Sequence, residues 1–269
     1  MNTNRETVVL KFGGASVATP AAFAHVATLI IEKVQQNKNV VVVVSAMANK
    51  TDELISLAHQ VHPSPPKREY DMLVTVGERI SISLLAMALS AQGQQAISFT
   101  GSQSGIITSD HHADASIIDI KPRRLLAALN EKNIVIVAGF QGVSRSGEIT
   151  TLGRGGSDTS AVALGAALGA SVVEFYKDVP GIFSDDPKIH ATATHHSHLS
   201  YSEALNIVDK GAKILHPRSI RLAKKNGVPL HVRSFLDQGK GTTIGDKEMR
   251  RAVTDPSFEE ERHEKGDTH

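Results

Sequence analysis

The sequence predicts an α/β protein built as a three-layer αβα sandwich with a central, mostly parallel, open sheet. Two observations lead to this fold class. Short β-branched apolar runs alternate with helix-like stretches along the 269 residues, an order typical of helices wound around a parallel sheet. Several of these runs, such as Val40–Val44, are apolar without alternation, which is typical of strands buried on both faces.

Six short segments are candidate strands of this sheet. They are Thr7–Phe12, Asn39–Ser45, Gln94–Phe99, Ile134–Ala138, Ser171–Tyr176 and Val228–Val232. Ligands of open parallel sheets gather at the carboxyl ends of the strands. The loops that follow these segments are therefore where a functional site is expected.

Helices are predicted between the candidate strands. Pro20–Gln35 begins with proline after Thr19, a combination typical of a helix N-terminus. Lys67–Ala91 carries apolar residues at a helical spacing and is predicted to form one long helix. Ser200 and Glu203 have the offset of a capping box, which predicts a further helix start.

Composition excludes several classes of protein. A chain with 41% hydrophobic and 21% charged residues is neither wholly disordered nor fibrous. Its 29 basic and 28 acidic residues nearly balance. The protein is therefore not expected to have the strong positive electrostatic potential that general nucleic-acid binding requires. The absence of cysteine excludes disulfides, thiolate metal sites and a cysteine nucleophile.

Location and domain organisation follow from the two ends of the sequence. The run Val40–Val44 is far below the roughly 18 apolar residues of a membrane helix, and the polar N-terminus is unlike a signal peptide. We therefore expect a cytoplasmic protein with no membrane partner.

One domain is predicted over residues 1–245, followed by a charged tail over 246–269. Since 13 of the last 24 residues are charged, this tail is expected to be poorly ordered or only loosely docked.

The loop after the first strand is a candidate phosphate site. Lys11 stands at the strand end and is followed by Gly13 and Gly14. Consecutive backbone amides next to glycines form a concavity that suits phosphate oxygens. An ordinary strand-to-helix turn is the alternative. Because neither a Walker A motif nor a G-x-G-x-x-G motif occurs, P-loop and dinucleotide-binding functions lose their main support.

The densest candidate site is the run Thr150–Asp158, which precedes a helix-like segment. It surrounds Arg154 with glycines and hydroxyl residues, and an arginine fork can grip a carboxylate in two places. Free amides at a helix N-terminus favour anions as well. Capping of the helix by Ser157 or Asp158 is the alternative, but capping leaves the glycines and the arginine unexplained.

Three other groups of residues carry weaker signals. The run Ser45–Thr51 offers hydroxyl groups for a carboxylate or a phosphate, although helix capping is an equal alternative. The run Tyr176–Lys188 combines an aromatic ring, lysines and carboxylates that could hold a nucleotide, or it is an ordinary polar loop. His195, His196 and His198 are interpreted as chance neighbours among 13 histidines, so no metal ligands are assigned.

Taken together, these motifs resemble the catalytic domain of aspartokinases, within the amino acid kinase family. The branches that act on N-acetylglutamate, glutamate, carbamate or UMP usually lack the motifs at Thr151–Asp158 and Gly211–Pro217. In family order and over about residues 7–245, the matching stretches are Lys11–Val17, Val44–Met47 with Thr51, Thr75–Arg79, Gly139-Phe140, Thr151–Asp158, Lys177–Phe183, Asp186-Pro187 and Gly211–Pro217.

The resemblance implies a fold, a reaction and its cofactors. The fold would be that of the amino acid kinases, with a substrate-binding lobe over about 1–170 and an ATP-binding lobe over about 171–245. The reaction would be phosphorylation of the β-carboxylate of L-aspartate by ATP with Mg²⁺, giving 4-phospho-L-aspartate, the first step of lysine, threonine and methionine biosynthesis. The acceptor carboxylate is already ionised at neutral pH, so catalysis needs positioning and charge neutralisation, not a general base.

The resemblance also implies roles for individual residues. Lys11 and Lys213 would neutralise charge on the transferred phosphoryl group, and Asp158 would hold lysine side chains by ion pairing. Arg154 would clamp the α-carboxylate of the substrate, and Glu78 would accept its α-ammonium group. Substrate-pocket residues would also include Ser45, Thr51 and Ser157. Residues along the nucleotide and its phosphates would be Gly13, Gly14, Ser16, Lys177, Asp178, Phe183 and Lys188. No residue is assigned to the metal, because Mg²⁺ would be held mainly by ATP phosphates and water.

The sequence departs from the family pattern at a few positions. Ala15 stands where the family usually has threonine, while Lys177 and Lys188 replace a commoner threonine and arginine. No regulatory (ACT) domains follow residue 245, so we expect no built-in feedback control unless a separate regulatory subunit supplies it. A homodimer is expected, as in the family. These departures leave two alternatives open: phosphorylation of another small acid, or a non-catalytic nucleotide-binding regulatory subunit.

Overall fold

The structure is a computed structural model that describes residues 5–36, 38–185, 190, 192–212, 214–237, 239–246 and 256–259. Its strands are β1 (Thr7–Phe12), β2 (Asn39–Val44), β3 (Ala96–Phe99), β4 (Ile106–Thr108), β5 (Ile117–Ile120), β6 (Ile134–Ala138), β7 (Gln141–Ser144), β8 (Ile149–Thr151), β9 (Val172–Lys177), β10 (Ile182–Phe183), β11 (His195–His196), β12 (His198–Leu199), β13 (Leu230–Ser234) and β14 (Thr242–Ile244). Its α-helices are α1 (Pro20–Gln35), α2 (Lys50–Val61), α3 (Lys67–Val74), α4 (Val76–Ala91), α5 (Gly101–Ser104), α6 (Arg123–Asn130), α7 (Gly156–Ala167), α8 (Tyr201–Asp209) and α9 (Pro217–Asn226).

An eight-stranded sheet forms the centre, in the order β12-β14-β13-β9-β1-β2-β6-β3. All of its neighbouring strands are parallel except β13 and β14. The mostly parallel sheet predicted from the sequence is therefore confirmed. Each of the six predicted strands is present, with ends displaced by no more than two residues.

Both faces of the sheet are covered, which gives the predicted three layers. Along β2, Val41 and Val43 belong to one buried cluster, and Val42 and Val44 belong to the other. Helices α7, α8 and α9 contribute to the first cluster, and α1 and α4 contribute to the second. Because β2 is buried on both sides, every position along it can be apolar, as its run of valines requires.

A second, four-stranded sheet in the order β5-β4-β7-β8 was not predicted. It joins β4 to β7 in parallel and its other neighbours in antiparallel pairs. Its strands are three or four residues long, too short for a clear alternating pattern in the sequence. The last strand, β8, ends at Thr151, directly before the glycine-rich run.

The long helix predicted over Lys67–Ala91 is divided into α3 and α4 at Thr75. The side-chain amide of Gln141 donates a hydrogen bond to the carbonyl of Thr75 at 3.2 Å. By length and composition alone, the combined stretch could cross a membrane, but core helices pass the same test and 44% of its apolar window is buried inside the protein. The finding is therefore weak evidence for a membrane segment.

The apolar spacing that predicted this helix lies mainly on its exposed side. Met72, Val76, Ile80 and Met87 are 41%, 37%, 38% and 64% exposed. The buried side of α4 carries the small or polar residues Gly77, Glu78 and Ser81 as well as the apolar residues Ile82, Leu85 and Leu89. Gly77 is so close to the loop after β2 that a Cβ atom there would lie 2.8 Å from the Ala46 Cβ. Periodicity thus identified a helix correctly but did not identify its core-facing side.

The described part of the charged tail is docked on the protein body. Phe258 packs against the first core cluster. The side-chain amide of Asn226 and the backbone of Ser257 exchange two hydrogen bonds, at 2.8 and 2.7 Å. For Pro256–Glu259, the expectation of a poorly ordered or loosely docked tail is therefore wrong. Apolar burial of Phe258 and paired backbone groups explain the difference.

Candidate active site

A cavity of about 840 Å³ opens at the carboxyl ends of β1 and β2, beside the first turn of α7. The glycine-rich run, the end of β1 and the start of α4 each contribute to its wall. Seven of the residues predicted from the sequence line this cavity: Lys11, Ser45, Thr51, Glu78, Arg154, Ser157 and Asp158. The structure thus brings together residues that lie more than a hundred positions apart in the sequence.

Asp158 lies at the centre of a cationic cluster. Its carboxylate is 2.7 Å from the Lys11 Nζ atom and 3.6 Å from the Lys177 Nζ atom. Burial alone would raise the pKa of Asp158, but the two ammonium groups outweigh burial and lower the pKa to about 2. The backbone of His216 contributes to lowering this pKa as well. Asp158 is therefore a fixed anion that holds two lysines.

Glu78 is buried in the first turn of α4, and no described residue is in contact with it as a counter-ion. One carboxylate oxygen, Oε1, accepts a hydrogen bond from the Ala46 N–H at 3.0 Å. The other, Oε2, is buried and accepts none from the described residues. Burial raises the pKa of Glu78 to about 7. An unsatisfied buried acceptor that lines a cavity is suited to a cationic ligand group.

Arg154 is exposed in the cavity between two glycines in the left-handed region of φ. Gly153 has φ +69° and Gly155 has φ +71°. A Cβ atom on Gly155 would lie 2.1 Å from the ring of His216, and one on Gly153 would lie 2.7 Å from the Asp114 carboxylate. Only glycine fits both the conformation and the space. The loop Leu152–Gly155, called here the acceptor loop, therefore depends on its glycines to present Arg154.

Comparison with known sequences identifies the family of this chain. Residues 6–234 match the Amino acid kinase family. The chain belongs to this family. An aspartokinase of Geobacillus stearothermophilus is similar to it, with 51% identity over 237 residues that cover 88% of this chain and 58% of that protein. The chain thus spans somewhat more than half the length of this curated relative.

Solved structures of the family have a similar fold. Aspartate kinase from Synechocystis is 44% identical, with a TM-score of 0.82 over 91% of this chain and 40% of that one. E. coli aspartokinase III in complex with aspartate and ADP is 29% identical, with a TM-score of 0.81 over 91% of this chain and 66% of that one. These structures confirm the fold class and the resemblance to aspartokinases.

Residues predicted to bind the nucleotide lie beside the lysine cluster or further along β9 and β10. Lys177 reaches Asp158, and burial lowers its pKa. Asp178 is exposed after β9, and Phe183 packs edge-on against His195 with ring centres 5.2 Å apart. Lys188 and Lys213, with the Asp186-Pro187 motif, lie outside the described residues. The nucleotide-side roles therefore stay predictions.

The glycine turn after β1 lies close to the loop after β2, and its serine is used internally. Gly14 approaches the next loop so closely that a Cβ atom would lie 2.8 Å from the Ala46 carbonyl. The Ser16 hydroxyl donates to the Gly13 carbonyl at 2.7 Å. Gly13 leaves room for the Lys11 ammonium, which would lie 3.7 Å from a Cβ there. The role of this turn in holding phosphate stays a prediction.

Sequence reasoning missed Asp71, a fully buried carboxylate of α3. It accepts hydrogen bonds from Thr151 Oγ1 at 2.5 Å, from His112 Nδ1 at 2.7 Å and from the Ala113 N–H at 3.1 Å. These contacts join α3 to both sides of the acceptor loop. An acidic residue inside an apolar helical pattern was the available signal, because burying a charge requires compensating partners.

Proposed function

We propose that the protein phosphorylates the β-carboxylate of L-aspartate with ATP, in the cytoplasm, as the first step of lysine, threonine and methionine biosynthesis. One observation carries the proposal above the others. Glu78, whose Oε2 atom has no hydrogen-bond partner among the described residues, and Arg154 line the same cavity as the Lys11–Asp158 pair. Such a cavity offers one anionic and one cationic anchor for an amino acid, with a lysine beside them for phosphate.

Glu78 and Arg154 would orient the acceptor by its two backbone groups. The α-ammonium of aspartate would satisfy the Glu78 Oε2 atom, and its α-carboxylate would take the guanidinium fork of Arg154. With both ends held, the side-chain carboxylate is free to face the phosphoryl donor. Ser45, Thr51 and Ser157 line the same cavity and offer hydroxyl donors to a carboxylate. Holding the acceptor in this way lowers the entropic cost of reaching the reactive geometry.

Lys11 would stabilise the transferred phosphoryl group. The β-carboxylate of aspartate is ionised at neutral pH, so the step requires no proton transfer, and the oxygen attacks phosphorus directly as ADP leaves. Lys11 offers positive charge near the peripheral oxygens, and Asp158 keeps its ammonium group in place. Since the pKa of Asp158 is about 2, this carboxylate stays ionised over the physiological range and acts as a fixed anchor.

ATP would enter from the side of β9 and the glycine turn, where Lys177, Asp178 and Phe183 lie. Magnesium would be carried mainly by the phosphates, because the described residues include no group of three or more His, Cys, Asp and Glu side chains suited to a metal. Asp158 itself is engaged by two lysines. Bound to the phosphates, Mg²⁺ would supply further neutralising charge.

The activity is tested by trapping the product. The protein is incubated with ATP, Mg²⁺, L-aspartate and hydroxylamine, and aspartyl hydroxamate is measured. We expect product with the wild type and at least about a hundredfold less with the Arg154→Ala variant, since one bidentate charged contact is lost. A panel of other small acids, read by ADP release, tests the alternative acceptors. ATP binding without turnover on the whole panel would favour a regulatory subunit.

We further propose that two copies of the chain associate through the exposed apolar side of α4. Val76, Ile80 and Met87 lie on this side, and Met87 is 64% exposed. Exposed apolar patches of this kind are typical of interaction surfaces. Light scattering should give the mass of a dimer, and Met87→Glu should shift it towards the monomer. A monomeric wild type at micromolar concentration would contradict the proposal.

A further inference from the structure

Arg218 connects the acceptor loop to the start of α9. Its guanidinium donates to the Leu152 carbonyl at 2.5 Å and to the Ala115 carbonyl at 2.7 Å. Only 11% of its side chain is exposed. Arg218 follows two residues after His216, whose ring lies 2.1 Å from the position that a Cβ atom on Gly155 would take. One largely buried cation thus contacts the first residue of the acceptor loop and is close in sequence to a side chain packed against the last residue of that loop.

The stretch Ala113–Ala115 forms the other support of the acceptor loop. The site where Gly153 would carry a Cβ atom is 2.7 Å from the Asp114 carboxylate and 3.3 Å from the Ala113 carbonyl. Arg218 lies 3.9 Å from Asp114 as well. By holding Leu152 and Ala115 together, the guanidinium fixes the spacing of the two segments between which Gly153 turns. Arg154 is the next residue.

Glu259, in the docked tail, neutralises this guanidinium. Its carboxylate accepts from the Arg218 Nε atom and, at 2.6 Å, from the second terminal nitrogen. The same carboxylate accepts from the Ile117 N–H at 2.9 Å, and the Glu259 N–H donates to the Ile117 carbonyl at 2.9 Å. Without Glu259, Arg218 would keep two carbonyl acceptors but would lose its close bidentate counter-ion in a poorly solvated place.

We propose that Arg218 and Glu259 are positioning residues for the acceptor loop, so that the tail segment Pro256–Glu259 sets the affinity for the acidic substrate. The proposal rests on the proposed aspartate kinase function for its kinetic readout. Neither residue lines the cavity among the residues described, so their action passes through Leu152 and Ala115. The expected signature is a change in the KM for aspartate with little change in the KM for ATP.

Glu259→Gln is the first test, because it keeps the shape and removes the charge. We expect the KM for L-aspartate to rise about tenfold, in keeping with the loss of a charged hydrogen-bonded contact. The KM for ATP should stay within about twofold of the wild-type value, because the substitution acts on the acceptor loop and not on the nucleotide side. Arg218→Lys, which keeps the charge but cannot reach both carbonyls and the carboxylate, should give the same pattern.

Glu174→Gln is the matched control. Glu174, on β9, is another buried carboxylate and is paired with Lys33 of α1 at 2.7 Å. Its other partners, Tyr176 and Arg233, are not part of the acceptor loop. Its loss should lower the melting temperature without changing either KM. If Glu174→Gln raises the KM for aspartate as much as Glu259→Gln does, stability alone explains the effect and the proposal is overturned.

Hydrogen exchange gives a readout that does not depend on turnover. With the whole chain of residues 1–269, amides of the acceptor loop should exchange faster in Glu259→Gln than in the wild type. Their exchange in Glu174→Gln should equal that of the wild type. If the wild type phosphorylates no acid, the proposed function fails, while faster exchange in this loop still supports the positioning role. The positioning role is overturned if exchange in the acceptor loop is unchanged in Glu259→Gln. It is also overturned if both Glu259→Gln and Arg218→Lys leave the KM for aspartate unchanged.

Discussion

The two walls of the cavity each present a buried carboxylate from the first turn of a helix, and the two are opposite in electrostatic state. Asp158, on α7, has two ammonium groups within 3.6 Å, and its pKa is lowered to about 2. Glu78, on α4, has one backbone donor, one unsatisfied oxygen and a pKa raised by burial to about 7. Burial is common to both, so the difference comes from the cations supplied around them.

We propose that this contrast separates a permanent part of the site, Asp158, from a group that receives the ligand, Glu78. A carboxylate with its counter-ions in place can only organise the lysines, because its charge is already neutralised. A carboxylate with an open oxygen is left unsatisfied until a cation arrives, and the ligand that supplies it gains the interaction. The experiments below test this division between an organising and a receiving carboxylate.

The largest effect is expected for Asp158→Asn. The substitution removes the anion between Lys11 and Lys177, so the two ammonium groups repel each other and lose their positions. We expect kcat to fall by about 10²–10³, the range for removal of one preorganised electrostatic contact, with a smaller change in the KM for aspartate. Steady-state kinetics measure both constants. A rise in the KM for aspartate with an unchanged kcat would instead show that Asp158 receives the substrate.

Glu78→Gln should give the second largest effect, and it should change the KM for L-aspartate, not kcat. A neutral amide cannot pair with the α-ammonium group, so the KM for L-aspartate should rise by about 10–100-fold, while kcat changes little. Binding of an ATP analogue, measured by calorimetry, serves as the control and should be unchanged. A fall in kcat with an unchanged KM would contradict the receiving role.

The fold and the glycine-rich wall of the cavity could be predicted because their signals are local. Continuous valine runs fix strands such as β2, and the glycines around Arg154 have no common purely structural purpose. These features need only a few neighbouring residues to be recognised. The buried face of α4 could not be predicted, because the apolar residues Val76 and Met87 are on the exposed side and core position depends on contacts distant in sequence.

The supporting residues of the site escaped prediction for a related reason. Asp71, Arg218 and Glu259 are charged residues in a helix or a charged tail, and in a sequence they look like solvated surface. Their significance depends on partners 41 to 142 positions away. Only the three-dimensional structure shows that Asp71 is buried, that Arg218 and Glu259 are partly buried, and that all three contact segments around the acceptor loop.

A pH profile of the wild type tests the comparison without any substitution. Aspartate keeps both carboxylates ionised and its ammonium charged between pH 6 and 8. Glu78 is the group expected to change: below a pKa of about 7 it is protonated and cannot pair with the ammonium. The KM for aspartate should therefore be about tenfold higher at pH 6 than at pH 8. In Glu78→Gln this pH dependence should disappear, whereas a persisting dependence would assign it to another group.

The smallest expected effect is on stability, where the two carboxylates should have opposite signs. The folded pKa of Glu78 is above that of an unfolded glutamate, so the folded state binds the proton more tightly, and stability falls as pH rises from about 4.5 to about 7. Asp158 has a folded pKa below its unfolded value, so its contribution is present above about pH 4 and is lost as pH falls towards 2.

Thermal unfolding at pH 8 should separate these two contributions. Glu78→Gln removes a buried charge that lacks a close cation, and the melting temperature should rise by about 2–6 °C in the absence of substrate. Asp158→Asn leaves two lysines without their anion, and the melting temperature should fall. At pH 4.5 the stabilisation of Glu78→Gln should vanish, because the glutamate is protonated in the folded state there and carries no penalty. A destabilised Glu78→Gln at pH 8 would mean that Glu78 already has a cation in the free protein, which would remove the contrast between the two walls.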